Sequence, residues 1–169
     1  MIGYLLQPSP LGPLLVAGTE RGVCALYLGE DEHHLKAELA REIGPASAPA
    51  AETLIGWARA IAESLRPGAV APEVPLDVRG TAFQRRVWDA LRAIPPGTTR
   101  TYRQVAESLG MPTAARAVAR GCATNAVSIL IPCHRVVRGD GGLGGYRWGL
   151  DRKQRLLELE RLQAAREAV

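Results

Sequence analysis

Turn clusters cut the start of the chain into three short apolar runs: Tyr4-Leu5-Leu6, Leu14-Leu15-Val16-Ala17 and Val23-Cys24-Ala25-Leu26-Tyr27-Leu28. The separators, Pro8-Ser9-Pro10-Leu11-Gly12 and Gly18-Thr19-Glu20-Arg21-Gly22, predict an antiparallel meander. Apolar spacing then changes period. Leu35, Leu39 and Ile43 recur at i, i+4 and i+8, predicting a helix over 31–43. A loop over 44–49 leads to a second helix over 51–65, with Leu54, Ile55, Ala58, Ile61, Ala62 and Leu65 on one face. Pro67-Gly68 stops it, and 69–79 reads as an extended connection.

Beyond residue 79 the signals are helical. Thr81-Ala82-Phe83-Gln84 and Thr101-Tyr102-Arg103-Gln104 are capping-box patterns, in which a threonine hydroxyl and a glutamine amide satisfy backbone amides reciprocally. The first opens a helix with Phe83, Val87, Trp88 and Leu91 on one face, ended by Pro95-Pro96-Gly97. The second opens a short helix to Gly110. Thr113 is expected to cap a further helix from Ala114 to about Cys122, with Val118 and Cys122 inward, and Asp151 to cap a last amphipathic helix. Two short helices joined by a tight glycine-containing turn form the outline of a helix-turn-helix.

At 169 residues the chain has room for one ordinary domain or two small ones. Charge divides it in two. Residues 1–78 carry 5 Lys+Arg against 10 Asp+Glu, and residues 79–169 carry 16 against 7, with Lys153 the one lysine of the second half. An arginine-rich half suits phosphate backbones, which the planar guanidinium binds bidentately; a solvated basic face is the plainer alternative. The expected boundary lies between residues 78 and 79. No run approaches ~18 apolar residues, so no transmembrane helix is expected. With no basic start resembling a signal peptide, and three widely spaced cysteines, a reducing cytoplasm is the expected location.

Chemistry concentrates in Ile131-Pro132-Cys133-His134-Arg135-Val136-Val137, where an apolar run meets a thiol, an imidazole and a guanidinium. Thiols attack as thiolates, and such neighbours supply a proton acceptor and a compensating charge. The alternative for any one cysteine is a buried core position, which suits Cys24 and Cys122 better. Cys24, His33 and His34 lack zinc-finger spacing, and Gly139-Asp140-Gly141-Gly142-Leu143-Gly144-Gly145 lacks the strand–loop–helix context of a phosphate loop. No cysteine-protease context surrounds Cys133.

The run from Phe83 to Glu160 resembles the O6-alkylguanine-DNA alkyltransferases, and within them the bacterial Ada branch. The likeness rests on Thr101-Tyr102, Ala114-Ala115-Arg116-Ala117-Val118, Asn125, Ile131 to Val137, Gly145-Tyr146-Arg147-Trp148-Gly149-Leu150, Arg152-Lys153 and Glu160. It implies a ribonuclease-H-like α/β domain with a small antiparallel sheet over 1–78, acting as a scaffold. A mostly helical DNA-binding and alkyl-acceptor domain with a helix-turn-helix follows over 79–169.

By the same resemblance Cys133 accepts the alkyl group, and His134 is its base through a water, oriented by Glu160. Asn125 links recognition helix and active site, Lys153 assists there, and Tyr102 promotes base flipping and protonates the departing guanine. Arg116 fills the gap in the base stack. Ala114, Ala115, Ala117 and Ala119 form a thin helix face for the minor groove of double-stranded DNA, and Arg103 and Arg120 add positive charge. Val136, Tyr146, Arg147 and Trp148 line the pocket for the alkylated guanine, where Trp148 is expected to disfavour bulky adducts. No metal, no organic cofactor and no membrane are expected, and the protein is expected to be a monomer. A non-catalytic lesion sensor, against which Cys133 argues, and a sequence-specific regulator are the rivals.

Overall fold

Each apolar run becomes a strand. β1 (Gly3–Gln7), β2 (Leu14–Thr19) and β3 (Gly22–Leu28) form an antiparallel sheet in that order. The register runs from Gly3 opposite Gly18 to Gln7 opposite Leu14, and Leu14 in turn faces Leu28. β3 is buried on both faces, which explains why its sequence is a continuous apolar run rather than an alternating one. α1 (Glu32–Glu42) and α2 (Glu52–Ser64) supply the covering layer through Leu35 and Leu39, and Leu54, Ala58, Ile61 and Ala62. Each fully buried leucine contributes about 1.5–3 kcal/mol.

The connection after α2 does more than span a gap. Leu76 bridges Val23 in parallel, with the Val23 amide donating to the Pro75 carbonyl at 2.8 Å and the Asp77 amide to the Val23 carbonyl at 2.9 Å. A β-carbon on Gly22 would stand 2.5 Å from the Pro75 oxygen, so this approach requires glycine.

The computed structural model describes residues 1–168 and divides into two units, Met1–Arg79 and Gly80–Val169. In the second, both capping boxes form in full: Thr81 and Gln84 open α3 (Ala82–Arg92), and Thr101 and Gln104 open α4 (Tyr102–Ser108). α5 (Ala115–Ala123) packs on both helices. The Trp88 indole donates to the Gly121 carbonyl at 3.0 Å, tying α3 to α5. α6 (Leu150–Glu167) completes the unit.

Two caps differ from expectation. Thr113 does not cap α5: Pro112 and Thr113 are the central pair of a turn closed by the Ala114 amide on the Met111 carbonyl at 2.9 Å. Ala114, without a side-chain bond, holds the cap position. Asp151 lies inside α6, because Gly149, at φ 100°, is its N-cap; the carboxylate instead complements the first-turn amides. Cys122 is half-buried rather than core, and Gly121 takes the inward position.

One long-range pairing sets up the site. β4 (Arg100–Thr101) and β5 (Val136–Val137) pair in parallel, Arg100 opposite Val136 and Thr101 opposite Val137. That pairing places Tyr102, the first residue of α4, beside the segment that carries Cys133. Replacing Thr101 with alanine removes the cap of α4 and is expected to cost about 1 kcal/mol. A lower urea midpoint with an unchanged slope would register it.

Candidate active site

The thiol is presented by a loop that one asparagine braces. Buried Asn125 accepts from the Val127 amide at 2.9 Å and donates to the Ile131 carbonyl at 2.8 Å. The Ile131 amide returns to the Val127 carbonyl at 3.0 Å, closing the loop on itself. Within it Ile129 holds φ 72°, a conformation that costs a β-branched residue on the order of 1–3 kcal/mol. The loop ends at Pro132 and turns into a 3₁₀ helix, Cys133–Arg135.

Behind the thiol lies a buried charge cluster. His134 is 0% exposed, and its Nε2 is 2.7 Å from Glu160 Oε1. Arg135 Nε reaches both Glu160 oxygens at 3.0 and 3.2 Å and its Nη2 reaches Oε1 at 2.8 Å, while Nη1 donates to the Ile94 carbonyl at 2.6 Å. Burial alone would raise the Glu160 pKa. The hydrogen bonds and charges of His134 and Arg135 outweigh it and hold the carboxyl at about 2. An ionised carboxylate only accepts, so in the neutral form of the imidazole the hydrogen sits on Nε2 and Nδ1 carries the lone pair.

Cys133 is 8% exposed and borders a cavity of about 390 Å³ whose other walls are Tyr102, Ala119, Cys122, Ala123, Gly145, Tyr146 and Arg147. Burial pushes the Cys133 thiol up, against the Asn125 hydrogen bond and the charges of Lys153 and Arg147, which pull it down. The thiol is therefore protonated at rest and needs a base. Burial likewise raises the Tyr102 phenol and keeps it a donor. Cys122 on the same wall is pushed up to about 12, first by burial and then by Cys133. Sequence reasoning had set Cys122 aside as structural, and only the one-turn offset from Val118 hinted at its place.

Lys153, 0% exposed, spends all three ammonium hydrogens on backbone: the carbonyls of Val136 at 2.6 Å, Leu143 at 2.5 Å and Gly145 at 3.0 Å. It pins the glycine-rich loop to β5 and reaches the thiol only through its charge. Gly144, at φ 73°, lets that loop touch Tyr102, since a β-carbon there would stand 2.6 Å from the phenol oxygen.

The remaining predicted residues divide. Arg116 and Arg120 project from α5, exposed and, among the described residues, without an ion-pair partner; Arg103 is paired with Glu107 at 3.0 Å. Ala114, Ala115 and Ala117 are half-buried at the start of α5, and Ala119 reaches the cavity. Val136 and Trp148, expected at the pocket, lie outside its lining. Val136 is in β5, and the Trp148 indole donates to Ser128 Oγ at 2.7 Å. Among the described residues no three His, Cys, Asp or Glu side chains converge on a metal-binding cluster. Arg135, with its grip on Glu160, carried no functional expectation beyond its position after Cys133 and His134.

The depressed Glu160 pKa fixes a pH dependence. A carboxyl held ionised in the fold contributes stability above its ordinary value of 4.5 and loses it as pH falls towards about 2. The contribution is on the order of 3 kcal/mol. Urea midpoints measured from pH 5 to 2 are expected to fall for the native chain and to stay flatter for Glu160→Gln, which is less stable at neutral pH because Arg135 is left buried without its partner.

Comparison with known proteins agrees with this architecture in both units. Residues 2–78 match the family model described as 6-O-methylguanine DNA methyltransferase, ribonuclease-like domain, and residues 82–162 its DNA binding domain. The bifunctional transcriptional activator/DNA repair enzyme Ada of Escherichia coli is 50% identical over 161 residues, covering 94% of this chain; the chain spans 45% of Ada's length. A methylated-DNA--protein-cysteine methyltransferase of Mycolicibacterium paratuberculosis is 41% identical, over 95% of this chain and 93% of that protein. The crystal structure of Mycobacterium tuberculosis OGT in complex with DNA superposes with a TM-score of 0.78 at 36% identity, covering 95% of this chain and 94% of the other. With both of its units matched and full-length relatives at this level of identity, the chain belongs to the 6-O-methylguanine DNA methyltransferase family.

Proposed function

We propose that this chain repairs DNA by direct reversal, moving the alkyl group of O6-alkylguanine onto Cys133 in a single irreversible turnover. The observation that carries the reading is the Cys133 thiol on a cavity of about 390 Å³, with the His134–Glu160 pair at 2.7 Å behind it. Arg116 and Arg120, exposed on α5, suit a phosphate-rich partner, and the relatives named for this reaction cover nearly the whole chain.

An alkyl group on guanine O6 is unreachable inside a stacked duplex, so the base must be extruded, at a cost of a few kcal/mol. α5 enters the minor groove on its alanine face, and Arg116 fills the space the base leaves. The search is then tolerant of sequence, since the minor groove separates bases poorly. In the cavity the thiol proton passes through a water to His134 Nδ1, whose imidazolium Glu160 stabilises. The thiolate attacks the alkyl carbon, the carbon–oxygen bond breaks, and the departing guanine takes a proton from Tyr102. The product is a thioether, which no neighbouring group can cleave. Lys153 holds the wall, and residues 1–78 act as a scaffold. A monomer working in the cytoplasm completes the proposal.

Intact-protein mass after incubation with duplex DNA containing O6-methylguanine is the direct test. One methyl per chain, mapped to Cys133 and lost in Cys133→Ala, is the expected result; tight lesion binding with no mass gain would instead indicate a non-catalytic lesion binder. Arg116→Ala should slow transfer from duplex by about tenfold or more, since ~1.4 kcal/mol of lost support for flipping has that effect. Transfer from the free alkylated base should be unchanged in that variant.

A further inference from the structure

Among the described residues, two buried side-chain polar atoms have no hydrogen-bond partner: His134 Nδ1, on the residue after the acceptor thiol, and Tyr146 Oη, on a residue that lines the same cavity as Cys133. Unpartnered buried polar atoms are rare and costly, and two on residues this close to one thiol call for a common cause. Tyr146 lines the cavity beside Cys133, and its hydroxyl is buried. Cys133, Ser128, Glu160 and Arg152 are the groups near enough to bear on it. Glu160 is bonded to the opposite nitrogen of the same imidazole whose Nδ1 lacks a partner. Ser128 lies beside the phenol without hydrogen-bonding geometry and accepts from Trp148 at 2.7 Å. Burial lifts the phenol well above its ordinary pKa, so it is a neutral O–H donor.

We infer that Tyr146 is a positioning residue for the transfer: its hydroxyl and His134 Nδ1 grip one buried water, aimed so that this water takes the Cys133 proton. Buried waters make about three hydrogen bonds, and the phenol, the imidazole and the thiol supply three. The phenol donates to the water oxygen, and one water hydrogen points at the Nδ1 lone pair. As sulfur releases its proton to the water, the water passes its own proton to Nδ1. The result is thiolate, neutral water and imidazolium, with no net gain or loss of protons. The aromatic ring thus forms the cavity wall and its hydroxyl orients the relay.

This inference rests on the proposed alkyl transfer, and one experiment separates the two. Single-turnover methyl transfer and duplex affinity are measured for the native chain and Tyr146→Phe. With the relay intact only in the native chain, the variant is expected to transfer about tenfold more slowly, a part of the 10²–10⁴ that general base catalysis supplies. Its duplex affinity should be unchanged and its melting temperature close to native, because the aromatic ring that forms the wall remains. Transfer within twofold of native, or a rate loss matched by lost affinity, would overturn the role. Native protein that transfers no methyl would instead sink the proposed function itself. A high-resolution crystal structure of the native protein gives a check independent of any variant: a water within hydrogen-bonding distance of both Tyr146 Oη and His134 Nδ1 supports the inference, and direct protein partners for the two atoms would end it.

Discussion

Glu160 is held between an imidazole and a guanidinium, and much of the second unit is organised by that contact. The carboxylate comes from α6, the imidazole and guanidinium from the 3₁₀ turn after Cys133, and Arg135 extends the cluster to the carbonyl of Ile94 beyond α3. Three elements distant in sequence are thereby fixed to one point. A buried charge of this kind is costly unless every partner is in place, and here both carboxylate oxygens are engaged. Its benefit is directional. An ionised Glu160 fixes the imidazole tautomer and leaves Nδ1 as the acceptor, so the base is set before any substrate arrives.

The cavity, by contrast, is shaped mainly by backbone that side chains restrain. Asn125 replaces missing main-chain partners across the loop to Ile131 and so sustains the unfavourable conformation of Ile129. Lys153 does the same for the glycine-rich loop, its three donors closing on carbonyls of both the loop and β5. The glycines that let the loop approach Tyr102 leave it intrinsically loose, and the ammonium supplies the missing definition. A pocket assembled this way can accept a planar base against a wall of peptide groups, while the few side chains present handle the protons.

What the sequence disclosed follows the range of the forces involved. Both capping boxes were legible because their partners lie three residues apart, and the meander because turn residues punctuate it. The Pro-Cys-His-Arg segment pointed to chemistry through residue types alone. The parallel pairing of Arg100 with Val136, the Leu76 bridge to Val23 and the bidentate Arg135–Glu160 contact were invisible, since each joins residues with no local signature of their meeting. The misplaced cap at Thr113 shows the same limit at short range. Thr113 is a good capping residue, but Pro112 favours a turn over 111–114 that puts Ala114 at the cap position. The hydrogen bond of the Trp148 indole to buried Ser128 had no local signal either.

In the proposed alkyl transfer the thiol reacts only once, and it is best kept unreactive until the right carbon is presented. Burial raises the Cys133 pKa and thus suppresses the thiolate that would capture stray electrophiles or oxidants. The same burial removes the water that would screen Asn125, Lys153 and the His134–Glu160 pair, so these groups stabilise negative sulfur strongly once the proton has moved. Low dielectric therefore acts twice, first against the free thiolate and then for the attacking one. The difference between the two states is the arrival of a base in a cavity of about 390 Å³, which leaves little room for solvent beside it. Because a thioether formed in that transfer would be permanent, selectivity has to precede chemistry, and a small pocket beside an arginine-bearing helix places it there.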